Sequence, residues 1–257
     1  MNMVAKRILA IGLASGLIAT SGLSPASAQS DAGPMTAGQK AAFEKVVRDY
    51  ILQNPEIISE AIERLRAKQR LAEAQANKET LVTNWAAIFE DADAPVGGNP
   101  KGDVTVVEFF DYRCGVCKRI QLVVRELVKT DRNIRRVYKE WPILGPASVL
   151  AARAAIASRK QGKYLPFHKA MMEATSDYSA PAIMAMAKSV GIDTGRLKKD
   201  MAAPEVDKII RKNYALADKL GLNGTPSFVI GDTLLRGGRD LESLRAIVAE
   251  ARAGKKK

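Results

Sequence analysis

Val104-Thr105-Val106-Val107-Glu108-Phe109-Phe110-Asp111-Tyr112-Arg113-Cys114-Gly115-Val116-Cys117 is an apolar run that ends in a Cys-x-x-Cys pair. Val104 to Phe110 is nearly continuous in apolar side chains, as expected of a central strand covered on both faces, and Glu108 interrupts it. Beyond the cysteines, Ile120, Val123, Val124, Leu127 and Val128 recur at helical spacing and predict a helix ending near Asp131. A Cys-x-x-Cys pair where a buried strand meets a helix is a device for disulfide exchange. A structural disulfide and half of a zinc site are the competing readings.

Residue supply removes several alternatives. The chain has 2 Cys and 1 His, too few for a four-coordinate Cys/His zinc site within one chain. Haem attachment of the c type needs His after the second cysteine, where Lys118 stands. Nothing in the spacing brings His168 to a thiol as a hydrolase would require, so His168 reads as a packed or capping side chain. No metal and no cofactor is expected.

The first residues set the compartment. Lys6 and Arg7 precede an apolar stretch from Ile8 to about Ile18, and Ala26-Ser27-Ala28 offers the small residues of a cleavage site. Residues 1–28 read as a Sec signal peptide, with an uncleaved anchor as the competitor, and export places the dithiol in the oxidising periplasm. The net charge of +12 falls to about +10 without Lys6 and Arg7. That balance favours acidic clients or an anionic membrane surface, and no basic stripe interleaved with aromatics points to nucleic acid. The Lys255-Lys256-Lys257 tail reads as a solvated end.

From Gln39 the pattern is helical. Phe43, Val46, Val47, Tyr50 and Ile51 lead to Asn54-Pro55, a cap and first position for a second helix, and Ile57, Ile58, Ala61, Ile62 and Leu65 continue the stripe. Such a stripe packs on its own domain or on another copy of the chain. Trp85 to Glu90 reads as a short first strand, and Asp91 to Lys101 as a turn-rich link. Ile134 to Trp141 reads as a strand parallel to the first through a right-handed crossover. Helices then fill Gly145 to about Leu220, and the methionines at 171, 172, 184, 186 and 201 read as core. Ser227 to Ile230 and Thr233 to Arg236 flank Gly231-Asp232 as a hairpin, and Asp240 caps a last helix.

In this order the chain resembles the thioredoxin-fold disulfide oxidoreductases of the DsbA family, ScsC/Com1-like branch. Three segments carry the likeness besides the outline: Glu108 to Cys117, Gly224-Thr225-Pro226-Ser227-Phe228, and Trp141-Pro142-Ile143-Leu144-Gly145-Pro146. The resemblance implies an α/β thioredoxin fold with an inserted α-helical domain and an N-terminal helical extension. Its parts are a signal peptide over 1–28, an extension over 29–85 that serves to oligomerise, a thioredoxin-fold first part over 86–146, a helical insertion over 147–218, and a second part over 219–257. It also implies a cis Pro226 beside the cysteines, with the Thr225 backbone as an edge for client segments, and a trimeric assembly.

The catalytic residues expected are Cys114, Cys117 and Glu108. Cys114, at the helix N-terminus, is the nucleophile, and the redox-active disulfide forms between it and Cys117, which resolves the mixed disulfide. Glu108 either exchanges the Cys117 proton or forms a structural salt bridge, with Lys139 as the partner on the next strand. Gly115-Val116 lacks the Pro-His of strongly oxidising relatives. That difference implies a milder disulfide, and with Thr225 before the proline and an oligomeric assembly it favours isomerising or reducing disulfides over forming them. Cysteine-containing exported proteins are the expected clients, and a membrane protein of DsbB or DsbD/ScsB type recycles the dithiol. The alternative function is Cu(I) binding by the same two thiols, in protection against copper stress.

Overall fold

The computed structural model of the chain describes residues 35–175 and 177–254. The leader expected over residues 1–28 and the lysine tail lie outside the described residues. Two compact units meet at Ile62 and Glu63.

In the first unit, α1 (Ala37–Gln53) starts two residues earlier than Gln39 because Thr36 and Gln39 form a capping box. Asn54 does not cap the next helix as expected; its side-chain amide donates back to the Tyr50 carbonyl at 2.8 Å and closes α1 instead. α2 (Glu56–Thr83) follows, of which only the residues up to Ile62 belong to this unit. No residue of α1 is buried, and Phe43, Val46, Tyr50 and Leu52 are among its exposed apolar side chains.

In the second unit the short α3 (Trp85–Phe89) stands where a strand was expected. Trp85-Ala86-Ala87-Ile88-Phe89 is too short a run for periodicity to separate helix from strand, and Ile88 and Phe89 bury one side of a helical turn. The first strand lies further on, inside the turn-rich link. β1 (Val96–Gly98) pairs antiparallel with a later strand, β3 (Ile134–Glu140), and a Cβ on Gly98, at φ +66°, would sit 2.5 Å from the Ile134 carbonyl oxygen.

β2 (Val104–Phe110), α4 (Gly115–Thr130) and β3 (Ile134–Glu140) form the expected strand-helix-strand unit, with β2 and β3 parallel. The chain then makes α5 (Pro146–Ser158), a 3-10 turn (Arg159–Gln161), α6 (Tyr164–Glu173), α7 (Ala180–Ser189), α8 (Thr194–Met201) and α9 (Pro204–Lys219). It returns as the hairpin β4 (Ser227–Ile230) and β5 (Thr233–Arg236), closed by α10 (Leu241–Gly254) with Asp240 accepting from Ser243 N at 2.7 Å. The sheet order is β1-β3-β2-β4-β5. This is a thioredoxin fold with helices inserted between β3 and β4.

Alternation along β2 assigns its two faces. Val107 and Phe109 enter the core that holds Ile88, Phe89, Trp141 and Leu216, whereas Val104 and Val106 pack with Val124, Leu127, Leu244 and Val248 of α4 and α10. Glu108 has the parity of Val104 and Val106 and faces α4. Met171, Met172 and Met201 are buried in the helical core, as expected, and Met184 and Met186 pack against it.

On the opposite face lies a buried ion cluster. Lys139 Nζ is 2.5 Å from Asp91 Oδ2 and 2.9 Å from the Ala87 carbonyl, and Lys212 pairs with the same carboxylate. Burial pushes the Lys139 ammonium down. Burial also works to raise Asp91, but Lys139 and Lys212 outweigh it and hold Asp91 below its ordinary value. That stability is therefore present above the ordinary carboxyl value and is lost as pH falls through the lower folded one. Asp91→Ala leaves a buried ammonium without its counter-ion and is expected to cost about 3–5 kcal/mol in urea denaturation. The exposed Glu73–Arg236 pair is the control, with Glu73→Ala costing under ~1 kcal/mol. Equal, small losses from the two changes would contradict this account.

Candidate active site

Asp111 shapes the turn between β2 and α4. Its carboxylate accepts from Arg113 N at 2.7 Å, Leu144 N at 2.9 Å and Ser148 Oγ at 2.8 Å, which ties the turn to the start of α5. Its carbonyl accepts from Cys114 N at 3.1 Å. The turn places Cys114 as the N-cap of α4, where its sulfur accepts from Cys117 N at 3.2 Å. The peptide between Thr225 and Pro226 is cis, and Cys114 Sγ donates to the Thr225 carbonyl at 3.3 Å. Cys114, Cys117, Thr225 and Pro226, named separately from the sequence, meet at this point.

The two sulfurs are unequal. Cys114 retains 7% exposure and Cys117 none. A hydrogen bond from the Cys117 thiol, helped by the Thr225 side chain and the backbone N–H groups of Cys117 and Val116, lowers Cys114 to about 6 against the opposing effect of burial. Burial above all, then the bond to Cys114 and the negative charges of Cys114 and Glu108, pushes Cys117 far up. A thiolate at the helix start, less buried than its protonated neighbour, can attack a disulfide and then be displaced by that neighbour.

Glu108 is fully buried and forms an ion pair, but with Arg136 and not with the expected Lys139. The reason is register. Glu108 lies opposite Tyr138 and Phe109 opposite Lys139 in the parallel pair, so Lys139 points to the far face of the sheet and Arg136 to the near one. Arg136 also donates to Gln121 Oε1 on α4 and lies over the Tyr138 ring at 4.6 Å. Burial opposes the Arg136 charge, yet Glu108 holds the guanidinium above its ordinary value.

Asp111, Gln121, Arg136 and Glu140 were not singled out from the sequence. Gln121 carried a signal, since it stands four residues after Cys117 on the apolar stripe of α4, where a polar side chain needs a partner. His168 is buried, as expected of a packed side chain. It hydrogen-bonds Tyr112 at 3.0 Å and Gln121 at 3.1 Å among the rings of Phe110, Tyr138 and Tyr164.

Comparison with known proteins agrees with this geometry. The family described as DSBA-like thioredoxin domain matches residues 105–249, and the Copper resistance protein ScsC N-terminal domain matches residues 39–72. The chain belongs to the DSBA-like thioredoxin family, with an ScsC-like N-terminal segment. A thioredoxin-like oxidoreductase from Silicibacter pomeroyi DSS-3 is 50% identical, with 65% of this chain and 97% of that one covered at a TM-score of 0.64. Proteus mirabilis ScsC in a transitional conformation is 30% identical, with 86% and 98% covered at a TM-score of 0.63. Among curated proteins, a Na(+)/H(+) antiporter NhaA 1 of Salinispora arenicola is 29% identical over 161 residues, 62% of this chain. The chain spans 25% of that antiporter's length.

Titrating the reduced protein by thiolate absorbance is expected to show one ionisation centred near pH 6, removed by Cys114→Ser. Alkylation mapped by mass should stay on Cys114 at neutral pH. An ionisation near the ordinary thiol value, or equal labelling of Cys117, would contradict the asymmetry.

Proposed function

We propose that the protein is a periplasmic thiol:disulfide oxidoreductase that isomerises or reduces disulfides of exported client proteins. The observation that carries this reading is the pairing of a Cys114 sulfur lowered to about 6 with a buried, protonated Cys117. Cys114 attacks a client disulfide, forming the mixed disulfide and releasing one client thiolate. Cys117 then attacks Cys114 Sγ, its proton passing to Glu108, and the second client thiolate leaves as the Cys114–Cys117 disulfide closes. The Thr225-Pro226 loop receives the client chain. A membrane partner of the DsbD/ScsB or DsbB kind restores the dithiol.

Three observations favour the isomerase or reductase direction. The contacts that lower Cys114 come from Cys117, Thr225 and backbone N–H groups, with no charge from Gly115 or Val116. The match of residues 39–72 to an ScsC N-terminal domain and the exposed apolar side chains of α1 support self-association, with a trimer favoured. Several active sites around one misfolded client suit reshuffling better than one-way oxidation. The leader-like residues 1–28 support export to the periplasm.

Reactivation of scrambled ribonuclease, read beside mass in solution, tests the proposal. The mature chain should be oligomeric and active, and removal of residues 29–80 should give a monomer that still reduces disulfides but reactivates the substrate at least about tenfold more slowly. A reduction potential nearer ~−180 mV than ~−120 mV is expected. A monomeric mature chain would refute the assembly. Tight Cu(I) binding with no thiol exchange would replace the whole reading by the copper-protective one.

A further inference from the structure

A buried polar chain runs from the ion pair behind Cys117 into the helical insertion, and hydrogen-bond chemistry fixes its direction. Arg136 has donors only, so the Gln121 atom it meets is Oε1, and Gln121 Nε2 is left facing His168 Nε2 at 3.1 Å. His168 Nε2 must accept, which makes the ring neutral and puts its proton on Nδ1. Burial and the Arg136 charge independently push His168 well below its ordinary value. The Nδ1–H then donates to Tyr112 Oη at 3.0 Å, and Tyr112 donates to Glu140 Oε1 at 2.9 Å, where Tyr164 also donates at 2.7 Å. Burial raises Glu140 to about 8, against the two tyrosine bonds that lower it.

Every donor in this chain points away from Arg136, and reversing it would turn Gln121 Nε2 toward a guanidinium. Among the described residues Glu108 Oε1 and Arg136 Nε are buried without a hydrogen-bond partner, so the pair is held by the bond between its own members, by Gln121 and by the Tyr138 ring against the guanidinium. Gln121 in turn has His168 as the acceptor for its amide. The titratable and charged groups facing His168 are Tyr112, Tyr138, Tyr164 and Arg136, with Glu140 one hydrogen bond beyond; those facing Glu108 are Arg136, Tyr138 and Cys117.

We propose that His168 of α6 is a positioning residue for proton removal from Cys117: through Gln121 it holds Arg136, and so Glu108, in register with the resolving thiol. Through this link the helical insertion takes part in the second half of the exchange. The proposal rests on the exchange reading above.

The test uses the full mature chain, reduced, mixed with an aromatic disulfide whose thiolate is coloured. Cys114 attack releases one thiolate, and Cys117 attack on the resulting mixed disulfide releases the second, so the two steps appear as two phases. His168→Phe keeps the ring among its aromatic neighbours and removes the acceptor. It should leave the first phase unchanged and slow the second about tenfold near neutral pH, the deficit shrinking toward about pH 10 as hydroxide takes the Cys117 proton directly. His168→Gln, whose amide oxygen can occupy the place of Nε2, should restore the second phase to within about twofold.

An unchanged second phase, a deficit of the same size at every pH, or a His168→Gln variant as slow as His168→Phe would overturn the proposal. If His168→Phe does not fold, Gln121→Leu removes the same link from α4 and is held to the same pattern. A native chain that never releases the second thiolate would instead refute the exchange reading itself.

Discussion

Glu108 sits fully buried in the middle of a strand covered on both faces, and a carboxylate there must find a cation or lose its charge. Arg136 meets it from the same face of the neighbouring parallel strand, and Gln121 completes the arrangement from α4. The rest of the site follows from this placement. Gln121 and Cys117 lie one helical turn apart on α4, so the side chain that braces the ion pair and the thiol that feels its charge share one helix face. Loss of the pair would leave an uncompensated charge behind the reactive sulfur.

The two cysteines are distinguished by a different device. Cys114 is the last residue before the helix and Cys117 lies inside its first turn. Helix geometry alone therefore gives one sulfur the unpaired N–H groups and the other the core. Thr225, brought across from the far end of the chain by β4, accepts from the Cys114 thiol through its carbonyl, and its side chain helps to lower that thiol. The loop proposed to receive a client is thus also the one that tunes the nucleophile.

Much of this was legible in the order of residues. The β4–β5 hairpin appeared with its bounds because Gly231-Asp232 separates two short apolar runs, and α4 appeared because its apolar positions repeat at helical spacing. The short α3 and β1 did not. Five residues do not define a period, and β1 is held by backbone pairing to β3 that no side-chain pattern announces. At the site, the cysteines, Glu108 and the Thr225-Pro226 loop were visible as residue types in context. The partner of Glu108 was misassigned because register between strands decides it, and Arg136 and Lys139 are both basic residues on the same strand. Glu140 and His168 were illegible as a pair, since only the packing of α6 over the end of β3 joins them through Tyr112 and Tyr164.

The division of labour between the two sulfurs is central to the site, and trapping of covalent intermediates measures it most directly. Incubated with a disulfide-bonded client and resolved without reductant, Cys117→Ser is expected to accumulate a mixed disulfide through Cys114. Cys114→Ser should form none. Equal trapping by both variants, or trapping only by Cys114→Ser, would contradict the assignment of nucleophile and resolving thiol.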